Sequence, residues 1–222
     1  MRPVTCRVTG EPGCGKSFFA LTFPQPITVF DYDQGLEDLL LRGEFKDKEI
    51  NVVDCALPVQ WSAKHKTFGL KEWEYFLEEW GIALEEAATV VVDTGTKLWE
   101  VARSGIAERL GVANLMPFQY GDANQAMSAL VGEAQQKKVN VVFTHHMKDI
   151  YENEVNTGKK APDGFKRLGG LVDWDLFLEI RRDKQGNVST EFMVGKCRID
   201  RRLFGEVFKD LDYEALADLV ES

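Results

Sequence analysis

The run GEPGCGKS, Gly10 to Ser17, sets three glycines, a lysine and a serine at the G-x-x-x-x-G-K-[ST] spacing. That spacing folds into a turn of inward-facing backbone N–H groups around an anion, closed by a helix N-terminus. Gly10, Gly13 and Gly15 permit backbone angles and close approaches that a Cβ forbids. Lys16 is placed to reach the β- and γ-phosphates of a nucleoside triphosphate, and the Ser17 hydroxyl to ligate Mg²⁺. The expected cradle is therefore Gly10, Glu11, Pro12, Gly13, Cys14, Gly15, Lys16, Ser17 and the adjoining Phe18, with ATP and Mg²⁺ as its cofactors. Cys14 reads as loop packing, with a thiol exposed to alkylation. Asp93 closes the run TVVVD, so it stands at the carboxyl end of a buried strand, where parallel sheets gather ligands. It is the expected partner of Ser17 at the metal; the competing reading makes it the cap of the helix that DTGTK opens.

Those side chains need a sheet to bring them together. VTCRV (Val4 to Val8) alternates as a strand does, and KSFFALTF after the glycine turn reads as a helix. PITVFDYD (Pro26 to Asp33) is an apolar run ending in acids, and EINVVDCA (Glu49 to Ala56) is a third strand. Gly69 to Ala88 carries apolar residues at helical spacing with acids on the other face, and its tryptophans read as core anchors. Asp122 to Lys138 is a further helix, and VNVVFTHHMKD (Val139 to Asp149) a buried strand whose end holds Thr144, His145 and His146. This alternation predicts an α/β fold with a mostly parallel central sheet flanked by helices. Ile150 to Gly170 is too polar and too rich in Gly and Pro for regular structure, and is expected to be a long loop. LVDWDLFLEIRRD and STEFMVGKCRIDRR, separated by KQGN, form a C-terminal antiparallel hairpin, followed by a short acidic helix.

At 222 residues, with 44% hydrophobic and 28% charged residues, the chain is expected to form one domain over residues 1–222. No apolar run approaches the roughly 20 residues of a membrane span, so no membrane partner and a cytoplasmic location are expected. Four cysteines without a C-x-x-C pair indicate neither a zinc site nor a disulfide framework. A net charge of −9 excludes a protein that coats nucleic acid through global positive potential. Any nucleic-acid contact has to be local.

The order of these pieces resembles the RecA-type ATPase core, and most of all the minimal phage RecA-like single-strand annealing and recombination ATPases. Phosphate loop, acid-ended second strand, Asp93 strand, polar-ended strand, loop, Gly169-Gly170 and late strands follow one another as they do there. The resemblance covers nearly the whole chain. It implies that Asp33, or else Asp31, is the general base that orients the attacking water, and that His146 senses the γ-phosphate. His145 points to the opposite side of its strand. It implies further that Lys196 and Arg198 reach a neighbouring subunit's γ-phosphate, which requires a homo-oligomer, ring or filament, with ATP at subunit interfaces.

Within the expected loop, Lys159, Lys160, Lys166 and Arg167 outnumber the acids Glu152, Glu154 and Asp163. Together with Phe165 and Tyr151 they match the recipe for single-stranded DNA, cations for phosphates and rings for bases. Gly111 to Gly121, with Met116, Phe118 and Tyr120, resembles a first DNA loop. The leading expectation is a DNA-stimulated ATPase that assists annealing or recombination, with a single-strand-binding protein as an associated partner. The alternatives are an ATP-dependent switch that remodels or loads a protein, and a P-loop phosphotransferase acting on a small molecule.

Overall fold

The computed structural model describes residues 2–60 and 67–221. In chain order the elements are β1 (Thr5–Gly10), α1 (Lys16–Leu21), β2 (Ile27–Asp31), α2 (Glu37–Leu40), β3 (Ile50–Asp54), β4 (Val59–Gln60), β5 (Thr67–Phe68) and α3 (Leu70–Glu86). Then come β6 (Thr89–Asp93), α4 (Gly95–Arg109), α5 (Tyr120–Lys137), β7 (Asn140–His145), β8 (Met147–Glu152) and β9 (Val155–Pro162). The chain closes with α6 (Leu168–Leu171), β10 (Trp174–Arg182), β11 (Val188–Cys197), β12 (Val207–Lys209) and α7 (Tyr213–Glu221).

Eight strands form one sheet in the order β12-β11-β10-β1-β7-β6-β2-β3. From β10 to β3 all pairings are parallel, whereas β10–β11 and β11–β12 are antiparallel. β1, β2, β6 and β7 are buried along their whole length, as strands covered on both faces must be. Alternation sorts their side chains into two layers. Val90, Val92 and Phe143 pack with Trp73, Phe76 and Trp80 of α3 and with α4 and α5. Val8, Val91 and Val142 pack on the other face with Phe19 of α1 and Leu216 of α7. Tyr213 ties α7 to the helix after the glycine turn: its N–H donates to Thr22 Oγ1 at 3.0 Å and its ring meets Phe23 at 4.8 Å.

One buried ion pair fixes how β1 meets β10. Arg7 donates from Nε and from its terminal nitrogen to the two oxygens of Asp175, both at 2.7 Å, in a bidentate pair. The close approach of Gly169 completes the packing: a Cβ there would lie 2.4 Å from the guanidinium.

The structure corrects the reading of Ile150 to Gly170 as an irregular loop. Most of it is the two-stranded sheet β8–β9, turned by Asn153 and Glu154, both at positive φ (50° and 67°). Two successive residues in that region make the hairpin turn whose twist matches its strands. The usual Asn-Gly signal is absent because Glu holds the second place. The strands also lack apolar alternation, since most of their residues are exposed and none is buried. β12, α2 and α6 were not anticipated either; at three or four residues they are too short for a period to show.

Candidate nucleotide site

β1 delivers Gly10 to the sheet edge, and the next turn folds back on itself. Gly13 and Gly15 sit at φ +76° and +96°. Gly10 is required for space: a Cβ would stand 2.5 Å from Cys14 Sγ and 2.6 Å from the Leu178 carbonyl oxygen. Lys16 is buried within the turn, its Nζ donating to the carbonyls of Gly10 at 3.0 Å and Glu11 at 2.8 Å. Cys14 is buried as well, and burial pushes its thiol up, which corrects the expectation of a readily alkylated group.

Ser17, at the start of α1, donates to Asp93 Oδ2 at 2.6 Å. Thr144, at the end of β7, donates to the other oxygen of Asp93. The helix after Asp93 is capped by Thr94, whose hydroxyl accepts from Lys97 N at 3.2 Å. The cap therefore leaves the Asp93 carboxylate to Ser17 and Thr144. The pair Ser17 and Asp93 offers a hard cation two oxygens, one of them anionic, beside the anion-binding turn.

Asp31 and Asp93 end adjacent parallel strands and are register partners. Burial raises the Asp31 pKa, and the Asp93 charge adds to the effect. Its oxygens accept from Gln34 N at 2.9 Å and Leu36 N at 3.4 Å, so Asp31 shapes the turn that carries Asp33. Asp33 has a different environment: about a third exposed, it lies 2.9 Å from His146 Nε2. The structure thus gathers Lys16, Ser17, Asp93, Asp33 and His146 along the carboxyl ends of β1, β2, β6 and β7.

The sequence matches the AAA domain family over residues 2–198. The chain belongs to that family. No curated protein matches the sequence. Among solved structures, a KaiC-like protein of the hyperthermophilic archaeon Pyrococcus horikoshii is similar in fold, with a TM-score of 0.53 at 15% identity, covering 94% of this chain and 85% of the other. The AAA domain described here accordingly has a RecA-like fold, a mostly parallel sheet with β11 and β12 added antiparallel to β10 at one edge. Among the described residues, no helix is long and apolar enough to cross a membrane.

Other expected site residues of this AAA domain are placed differently. Phe165 is 1% exposed and packs 5.4 Å from the Trp99 ring, so it anchors the chain after β9 and is withdrawn from any base. Lys159, Lys166 and Arg167 are exposed, and Lys160 pairs with Glu11. Lys196 and Arg198 are not free cationic fingers. Lys196 donates to the carbonyls of Gly169, Gly170 and Val172 at 2.7–3.1 Å, and Arg198 to that of Leu171 at 2.7 Å. Both close the exposed carbonyls of α6, at the end of the sheet away from the phosphate turn.

Two features escaped the sequence reading. A cavity of about 560 Å³ opens beside Gly15, lined by Phe18, Phe45, Lys48, Thr190 and Asp210. These residues come from four separate segments, so no motif signals them. The second is the partner of His145: the ring is fully buried, with Nδ1 2.6 Å from the Asp163 carbonyl oxygen. Burial holds its pKa down to about 4.

That histidine gives a pH prediction. The folded ring stays neutral while the unfolded ring titrates near 6.5, so the unfolded chain binds more protons between pH 6.5 and 4. The His145 contribution is complete above about pH 6.5 and is lost as pH falls through that window, by roughly 3 kcal/mol in total. Denaturant unfolding at pH 7.5 and 4.5 reads it: wild type loses more stability than His145→Gln, which keeps a donor for the Asp163 carbonyl and does not titrate. Equal losses refute the assignment.

Proposed function

We propose that this protein hydrolyses ATP with water oriented by Asp33, and that it binds single-stranded DNA on the β8–β9 ribbon to assist annealing or recombination. The observation that carries the reading is the path from the site to the ribbon. His146 faces Asp33 through its ring, while its backbone joins β7 to β8 and its carbonyl accepts from Asp163 N at 2.8 Å, at the return of β9. A change in what Asp33 and His146 hold is therefore felt at both feet of the ribbon.

In the reaction, the inward N–H groups of the turn and Lys16 hold the β- and γ-phosphates. Ser17 and Asp93 would hold Mg²⁺, which would neutralise charge on the phosphate oxygens. Asp33 accepts a proton from a water whose oxygen forms the new bond to the γ-phosphorus. The bond from that phosphorus to the β–γ bridging oxygen breaks, its electron pair staying on ADP. His146 keeps Asp33 aimed. Asp31 is a poorer base, since its oxygens serve the turn at Gln34 and Leu36. The cavity beside Gly15 accommodates the base, with the rings of Phe18 and Phe45 at its wall.

For DNA, Lys159, Lys166 and Arg167 offer exposed charge, and Tyr151 (61% exposed) and Phe118 (82% exposed) offer rings. Trp99 lies 6.2 Å from Tyr120 and 5.4 Å from Phe165, so the Gly111–Gly121 segment and the chain after the ribbon meet at one aromatic cluster. The test is ATP turnover alone, with single-stranded DNA and with duplex, across salt. Stimulation by single strands that weakens with salt is expected. Replacing Lys159, Lys166 and Arg167 by glutamine removes the stimulation and leaves basal turnover; retained DNA affinity in that variant defeats the ribbon assignment. Turnover indifferent to every nucleic acid defeats the DNA reading, and puts the protein-partner switch, favoured by the acidic chain, in its place.

A further inference from the structure

Resting on the ATPase reading, we infer that Lys160 is a cation acting within its own subunit on the terminal phosphoryl group of the bound triphosphate. The ribbon position of Lys160 predicts a nucleic-acid contact, yet its ammonium pairs with the Glu11 carboxylate, the second residue of the phosphate turn. Lys160 on β9 therefore lies within ion-pair reach of the turn. Its place opposite Asp149 is set by the β8–β9 register.

Three observations leave the role to Lys160. Lys16 lies inside the turn, on the carbonyls of Gly10 and Glu11. Lys196 and Arg198 are held by the carbonyls of residues 169–172 at the other end of the sheet. Among the described residues, Lys160 is the cation from outside the phosphate turn that forms an ion pair with it. The Glu11 side chain is about half exposed and carries a single negative charge. A γ-phosphate carries more charge on more oxygens, so it outcompetes that carboxylate for an ammonium on a flexible four-carbon stem. In hydrolysis, charge gathers on the transferred group and on the bridging oxygen that leaves with ADP. A cation placed there lowers the barrier and does not alter the atoms exchanged. The ribbon also carries the proposed DNA contacts, so the cation and the DNA site move as one piece.

The experiment compares wild type, Lys160→Met, Lys160→Arg and Glu11→Gln. Calorimetry with Mg·ADP and with a slowly hydrolysed Mg·ATP analogue gives the preference for the triphosphate, and DNA-free single turnovers give the rate. Lys160 is exposed, so Lys160→Met is expected to fold normally. It keeps the ADP affinity, loses about tenfold in preference for the triphosphate and falls about 10²-fold in single-turnover rate. Lys160→Arg restores part of both. Glu11→Gln, which removes the competing carboxylate, binds the triphosphate at least as tightly as wild type. An unchanged triphosphate preference and DNA-free rate in Lys160→Met, with only DNA affinity lowered, overturns the inference and leaves the ATPase reading standing. Wild type that takes up neither nucleotide overturns both.

Discussion

Replacing Lys16 by alanine removes uptake of Mg·ATP while leaving the protein folded. The amine is buried and makes two hydrogen bonds to carbonyls of its own turn, at 2.8 and 3.0 Å. It is thus already positioned inside the turn proposed to receive the phosphates. Charge-assisted hydrogen bonds are worth about 1.5–3 kcal/mol each, so losing contacts to two phosphate oxygens weakens binding on the order of 10²- to 10⁴-fold. Calorimetry on wild type and variant checks the affinity, and thermal unfolding without nucleotide checks the fold. Tight binding by Lys16→Ala removes the basis for placing the phosphates in this turn.

The largest stability effect is expected far from any ligand. Arg7→Met leaves the Asp175 carboxylate buried without its partner, a loss of about 3–5 kcal/mol. For a domain of this size that lowers Tm by roughly 10 °C. The double variant Arg7→Met with Asp175→Leu recovers most of the loss, because two apolar side chains leave no unpaired charge. Thermal unfolding of both separates the cost of orphaning one charge from the worth of the pair. β1 ends at Gly10 and β10 presents the Leu178 carbonyl oxygen against it, so the single variant is also expected to bind nucleotide less well.

What could be read from sequence follows from how local each signal is. GEPGCGKS encodes its own turn, because Gly13 and Gly15 need positive φ and Gly10 needs to lack a Cβ. Asp93 was legible since three valines before it announce a strand and its end. Asp33 and Asp31 were not separable, because the difference lies in partners: turn amides for one, His146 for the other. Phe165 was misread for the same reason. A phenylalanine among cations looks like a base platform until Trp99, 66 positions earlier in the chain, proves to be its neighbour. Lys196 and Arg198 alternate as expected of one strand face, but nothing near them in sequence shows the carbonyls of residues 169–172 that claim them.

The placing of the indoles has a practical consequence. Trp73, Trp80 and Trp174 are at most 2% exposed, whereas Trp99 is only partly buried, between Tyr120 and Phe165 and 5.7 Å from the Arg103 guanidinium. Among the described tryptophans, Trp99 is therefore the one whose emission reports on the aromatic cluster. On the proposed DNA reading, an oligonucleotide laid across that end of the molecule changes the emission of Trp99 while the buried Trp73, Trp80 and Trp174 stay steady, so binding can be titrated without attaching a dye.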